Sequence, residues 1–269
     1  MSLKPTKAFV ANPQSQEPKL QEPVTVGVPL AKLIKRKLVE SPDIVMLGPT
    51  RSLGAERFRR LKTILVNRFP DSAQVLVVTS AIPGEGKTTV AVNLALAFAA
   101  DKDERVLLLD GDLRRPSIGP RLQPAPQLSL SDVLARKTDL NHVILRLENS
   151  SLEVLPAVGG VADPIELISS DAARETMATL RERYQRIIID TPPIVPFTDA
   201  DALGALADGL LLVARAGLTP TPKYAQAVGS VTSCRVLGTV MNNVSTTLAD
   251  WHRHSNYDYD YYYDKERKK

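Results

Sequence analysis

The stretch QVLVVTSAIPGEGKTTVAVNLALAFAA, residues 74–100, narrows the folds open to this chain more than any other. Residues 74–80 are largely apolar and β-branched without alternation, the pattern of a strand buried on both faces in the middle of a parallel sheet. Residues 88–100 are rich in alanine and leucine and read as a buried helix. Between them, Ala81-Ile82-Pro83-Gly84-Glu85-Gly86-Lys87-Thr88-Thr89 follows the phosphate-cradling pattern G-x-x-x-x-G-K-[ST], with Ala81 at the first glycine position. Glycines let the backbone curl so that successive N–H groups face a phosphate, and the helix N-terminus adds positive dipole. Lys87 is expected to reach the β- and γ-phosphates, and the Thr88 hydroxyl to take a Mg2+ position. Pro83, Gly84, Glu85, Gly86, Lys87, Thr88 and Thr89 are the candidate nucleotide-binding residues.

Two further apolar strands end in acid. RVLLLD (105–110) continues into Asp110-Gly111-Asp112-Leu113-Arg114. Two carboxylates two residues apart at a strand end suit a metal-bound water or a base acting on an attacking hydroxyl. RIIID (186–190) ends Asp190-Thr191-Pro192-Pro193, the arrangement in which a strand-end carboxylate holds Mg2+ directly or through water. Either motif alone is weak, because acidic turns and helix caps are common. Beside a phosphate loop they point together to MgATP or MgGTP. A guanine reader would usually carry N-K-x-D, which is absent, so ATP is favoured and Asn242, in MNN after the last strand, is the candidate contact to adenine.

Strands and helices alternate from residue 74 to residue 244, which argues a doubly wound, mainly parallel α/β sheet with helices on both faces, a P-loop NTPase fold. Ligands bind beyond the carboxyl ends of such strands, where the three motifs lie. The spacing predicts helices over 54–69, 163–184 (one or two), 198–208 and 220–231, a short helix starting at Ser131, and strands over 151–157, 209–215 and 235–244. Residues 116–130 read as a proline-rich loop. In GAERFRRLKTILVNRF, Phe58, Leu61, Leu65 and Phe69 form one apolar stripe against a basic face. LAKLIKRKLVE (30–40) reads as a short basic amphipathic helix that packs on the domain or touches anionic lipid. Residues 1–45 are expected to be a flexible arm, 46–244 the nucleotide-binding domain and 245–269 a polar flexible tail.

A net charge of +4 without a concentrated basic patch argues against nucleic-acid binding. A single cysteine, Cys234, excludes an intrachain disulfide and reads as a small core residue, suiting a reducing cytosol. No apolar run approaches the roughly 20 residues of a membrane-spanning helix, and the N-terminus has no apolar leader. A membrane role would come through a partner.

Five of the chain's seven tyrosines, Tyr257, Tyr259, Tyr261, Tyr262 and Tyr263, crowd into YDYDYYYD near its end. The combination of AIPGEGKTT, LLLDGDLRRP, IIIDTPP and this cluster resembles the bacterial protein-tyrosine kinase family of exopolysaccharide and capsule export, over roughly residues 50–269. The resemblance implies a P-loop fold related to the MinD and ParA ATPases, with Lys87 and Thr88 on phosphates and Mg2+. It implies Asp110 as the base on the acceptor hydroxyl, Asp112 and Asp190 serving the metal, and Arg114 at the family's D-x-D-x-R arginine, near the nucleotide. It also implies that the tyrosine cluster is autophosphorylated in trans. Partners implied are a transmembrane polysaccharide co-polymerase that activates the kinase and recruits it from the cytoplasm to the inner membrane face, and a cognate phosphotyrosine phosphatase. The family's E-x-x-R-x-x-R ring-forming helix is met by Glu56 and Arg59, with Lys62 at the second arginine. That substitution keeps the charge and loses the planar fork. From Trp251 the tail could extend roughly 60 Å, enough to reach a neighbouring subunit. Rival readings are a MinD- or ParA-type ATPase switch, disfavoured because the early lysine of K-G-G-x-G-K-T is absent, and a nucleotide-binding scaffold without chemistry.

Overall fold

A computed structural model describes residues 34–39, 41–48, 52–70 and 74–244. Residues 1–33 of the arm expected over 1–45, and the tail from residue 245 with its tyrosines, lie outside the described residues. Among them, β1 (Lys35–Leu38), β2 (Val75–Ser80), β3 (Val106–Asp110), β4 (Leu122–Gln123), β5 (Leu145–Leu147), β6 (Glu153–Leu155), β7 (Arg186–Asp190), β8 (Gly209–Arg215) and β9 (Val236–Asn242) form one sheet. Its order is β4-β1-β5-β6-β3-β7-β2-β8-β9. The run from β6 to β9 is parallel throughout, as the βα alternation predicts. Two antiparallel pairs, β1 with β4 and β5 with β6, occupy the other side.

Strand alternation divides the core into two layers. Val75, Val77, Ile187 and Ile189 face one layer, and Leu76, Val78 and Ile188 the other, all at 0 % exposure. Such strands must be apolar at every position, because each fully buried aliphatic side chain contributes about 1.5–3 kcal/mol on either face. The first layer is closed by α3 (Leu130–Leu134), α5 (Pro164–Ile168), α6 (Asp171–Arg183), α7 (Asp199–Gly204) and α8 (Thr221–Ser230); α4 (Leu140–Val143) contributes Val143. The second is closed by α1 (Leu53–Arg68) and α2 (Lys87–Ala99). Because α2 is sandwiched between sheet and α1, it is buried nearly all round, hence its alanine and leucine. On α1, Leu65 is buried and Phe58, Leu61 and Phe69 pack against the same layer, so the expected stripe forms. Ser52 caps α1 by accepting from the Ala55 N–H at 3.2 Å. Cys234 is half-buried against the first layer.

The structure corrects several expectations. The amphipathic helix over 30–40 is, in its described part, the strand β1, so the sheet reaches back beyond a boundary at residue 46. Leu38 and Ile44 are buried with the second layer. Pairing on both sides of Lys35–Leu38 supplies backbone hydrogen bonds that an isolated one-turn helix lacks, and this overrides the local periodicity. The loop over 116–130 contains a 3-10 turn, Gly119–Arg121, and the two-residue β4. β5 was not expected, and the strand over 151–157 contracts to Glu153–Leu155. Residues 163–184 form two helices, the second capped by Ser170.

Candidate active site

Three parallel neighbours, β3, β7 and β2, deliver their carboxyl ends side by side. Asp110 and Asp190 are direct cross-strand partners, and Gly111 N–H donates to the Asp190 carbonyl at 2.7 Å. Beyond β2 the chain turns through the phosphate loop into α2. Gly84 and Gly86 hold positive φ of 84° and 90°, conformations costly for any residue with a Cβ. Gly86 has a second reason to be glycine: a Cβ there would stand 2.0 Å from the Asn242 amide nitrogen.

Lys87 opens α2 and inserts its ammonium among the carboxylates, 3.1 Å from Asp112 Oδ2 and 3.7 Å from Asp190 Oδ1. The Thr88 hydroxyl donates to Asp190 Oδ2 at 2.6 Å and lies 3.0 Å from Ser117 Oγ. Asp190 Oδ1 is buried and makes no hydrogen bond. Besides the Lys87 ammonium, this acceptor has no partner among the described residues, and with the Thr88 hydroxyl and Asp112 nearby it offers oxygen donors to a cation. Among the described residues, no three His, Cys, Asp or Glu side chains could hold a metal by themselves. That donor set fits Mg2+, which takes one or two carboxylates together with substrate phosphates and water.

Asp110 is fully buried, and its oxygens accept from the backbone N–H groups of Asp112, Ser117 and Ile118. Burial, and then the charge of Asp190, push its pKa up to about 7. Burial also raises Asp190. For Lys87 burial acts downward, but Asp190 and Asp112 outweigh it and hold the ammonium above its ordinary value. Because the folded Asp110 value stands above the ordinary 3.8, the native state holds the extra proton between the two. The associated stability is present at low pH and is lost as pH rises through about 7. The ligand-free chain is therefore expected to melt at a higher temperature at about pH 6 than at about pH 8. A melting temperature that climbs over that interval contradicts the assignment.

An open cavity of about 730 Å3 lies in front of the loop, within the range of small-molecule sites. Gly84, Gly86, Lys87, Thr88, Thr89 and Asn242 line it. Asp112 and Asp190 meet it through Lys87 and Thr88 rather than lining it themselves. Three of the expected binding residues do not line it. Pro83 is not in the lining. Glu85 is fully buried; its carboxylate accepts from Ile82 N–H at 2.8 Å and from the Thr219 hydroxyl, so it fastens the loop to the segment after β8. Its carbonyl accepts from the Asn242 amide at 2.9 Å. Arg114 donates to buried Asp199 at 2.9 Å and stacks over Phe197, which fixes the turn after β3. On α1, Arg59 pairs with Glu56 at 2.7 Å, whereas Lys62 reaches Asp101 at 2.5 Å and the α2 carbonyl of Ala97, an internal contact.

The sequence reading missed Ser117, Arg215 and Asn93. Arg215 donates to the Gly84 carbonyl at 3.0 Å. Asn93 is fully buried in α2 and ties the chain before α1 to it, accepting from Met46 N–H at 3.0 Å and donating to Asp43 O at 2.8 Å. A polar residue inside VAVNLALAFAA was a signal for such a bond; nothing local marked the other two.

These features define a P-loop nucleotide-binding protein of the NTPase class, and residues 73–220 match the AAA domain family model. The chain is 32 % identical over 220 residues to the tyrosine-protein kinase YwqD of Bacillus subtilis, covering 81 % of this chain and 90 % of that protein. It is 30 % identical to the succinoglycan biosynthesis transport protein ExoP of Rhizobium meliloti, covering 80 % of this chain and 28 % of ExoP, so it spans under a third of that longer relative. The kinase domain of the Escherichia coli tyrosine kinase Etk superposes with a TM-score of 0.70 at 28 % identity, covering 77 % of this chain and 82 % of that one. The chain belongs to the bacterial tyrosine-protein kinases. No helix among its described residues is long and apolar enough to cross a membrane.

Proposed function

We propose that the chain is an ATP-dependent autokinase that phosphorylates Tyr257, Tyr259, Tyr261, Tyr262 and Tyr263 of a second copy, and thereby regulates polysaccharide polymerisation and export. The observation that carries this reading is the convergence of Lys87, Thr88, Asp112 and the unsatisfied Asp190 Oδ1 at the strand ends, in a family of tyrosine kinases. The nucleotide lies along the loop, with phosphates on the Gly84–Thr89 backbone and Lys87, and the base toward Asn242. Thr88, Asp112 and Asp190 would hold Mg2+, which neutralises phosphate charge and orients the γ-phosphoryl group. Lys87 stabilises the charge that develops during transfer.

The acceptor phenol is a poor nucleophile at neutral pH, since its pKa is about 10. Asp110, with a proton affinity near neutrality, takes that proton. Its oxygens are held by Ser117 and Ile118 N–H in the ligand-free chain, so the turn after β3 must open for a phenol to reach it. Each phosphorylated tyrosine adds about −1.5 to −2 charges, which loosens docking of the tail in a phosphate site. The half-buried Glu56 and Arg59 pair on α1 supports assembly into a ring. ExoP's name, a succinoglycan biosynthesis transport protein, supports a role in polysaccharide transport; the activating and recruiting partner is a transmembrane co-polymerase, with a phosphotyrosine phosphatase resetting the tail.

The test is incubation with MgATP, alone and with a membrane partner's cytosolic segment, followed by phosphosite mapping. Phosphate on tyrosines between 257 and 263 is expected. ATP hydrolysis with no phosphotyrosine, unchanged when 251–269 are removed, would favour the ATPase switch instead.

A further inference from the structure

The cavity wall carries more positive charge than the phosphate loop itself accounts for. Besides Lys87, it is lined by Arg57 from α1, Arg121 from the 3-10 turn and Arg215 from the end of β8, against the single carboxylate of Asp43. Five other described arginines, Arg114, Arg136, Arg174, Arg181 and Arg186, each pair with a carboxylate. The guanidinium groups of Arg57 and Arg121 have no hydrogen-bond or ion-pair partner among the described residues. Arg215 spends one donor on the Gly84 carbonyl. The nucleotide phosphates already have the loop backbone, the α2 N-terminus and Lys87. Three arginines on three separate elements therefore face the cavity with donor capacity left over.

We propose that Arg57, Arg121 and Arg215 form a rim that selects acceptor tyrosines flanked by aspartate, and that its ligand is the YDYDYYYD segment of a second copy of this chain. The inference rests on the autokinase reading and names what that site recognises. Guanidinium forks match carboxylates bidentately, which a point charge does not. The segment supplies Asp258, Asp260 and Asp264 within eight residues. Four of its tyrosines are immediate neighbours of an aspartate; Tyr262, between Tyr261 and Tyr263, is not. The rim therefore ranks the acceptors, with Tyr262 modified last.

The experiment uses the full chain and two peptides of residues 255–265, one native and one with Asp258, Asp260 and Asp264 all replaced by Asn. The wild-type chain is expected to prefer the native peptide by roughly three- to tenfold in kcat/KM, less at high salt, because the contacts are partly solvated. The double variant Arg57→Ala, Arg121→Ala should lose that preference and leave the KM for ATP unchanged. Arg57→Lys, Arg121→Lys, which retains charge and packing, should recover part of it. Equal use of both peptides by the wild-type chain overturns the inference and leaves the autokinase reading intact. A double variant that keeps the preference but raises the KM for ATP overturns it in favour of a nucleotide-binding role. If neither peptide nor the chain's own tail is phosphorylated, the autokinase reading falls and this inference with it.

Discussion

Lys87→Met is expected to lower tyrosine phosphorylation by on the order of 10²–10³-fold, the scale for losing one preorganised charge stabiliser. It should also destabilise the ligand-free chain. The ammonium sits between Asp112 and Asp190, with side-chain exposures of 14 %, 6 % and 0 % for the three residues. Methionine fills similar space without the charge, so two buried carboxylates lose their cation. Breaking such a pair costs about 3–5 kcal/mol. The uncompensated carboxylates then hold protons more tightly in the native state, so the lost stability returns as pH falls. Phosphotyrosine blotting and thermal melts at two pH values test the two halves separately. A variant with undiminished phosphotyrosine removes Lys87 from the chemistry. One that melts like the wild type at every pH shows that the carboxylates do not depend on it.

Gly86→Ala is expected to weaken nucleotide binding by roughly ten- to a hundredfold, with backbone strain of about 1–3 kcal/mol as one part of the cause. The other part is the Asn242 amide, which lies where the new methyl must go. Moving it breaks its bond to the Glu85 carbonyl and frees the loop from the end of β9. Adding Asn242→Ala removes the clash but not the positive φ, so the double variant should recover part of the affinity. Titration with a fluorescent nucleotide measures both. Wild-type affinity in Gly86→Ala would mean that the loop does not hold phosphates in this conformation.

The central sheet was legible because burial on both faces leaves one solution for runs such as VLVVTS, VLLLD and RIIID: they must be apolar throughout. Lys87, Thr88, Asp110, Asp112 and Asp190 were legible for the same reason, since each ends or follows such a run. The edge was not. KRKL has three cations in four residues and forms a strand only because β4 and β5 lie on either side of it, information stored elsewhere in the chain. The side chains of Glu85 and Arg114 turn away from the cavity, which their motifs do not reveal, because a motif gives sequence spacing and not side-chain direction. Both are consumed by tertiary bonds, to Thr219 and Asp199, from segments more than eighty residues away. Ser117 and Arg215 act through contacts that no local pattern encodes.

Val244 lines the same cavity as Lys87, and the first tyrosine of the cluster follows it by about 13 residues. Fully extended, that tether spans about 45 Å, so a chain's own tyrosines are within reach of its own site. Attachment at the cavity wall also gives them a high effective concentration there. Reach alone would therefore let the proposed transfer run within one chain as well as between two. The kinetic order separates the two: an initial rate that scales with the square of protein concentration for transfer between chains, and linearly for transfer within one.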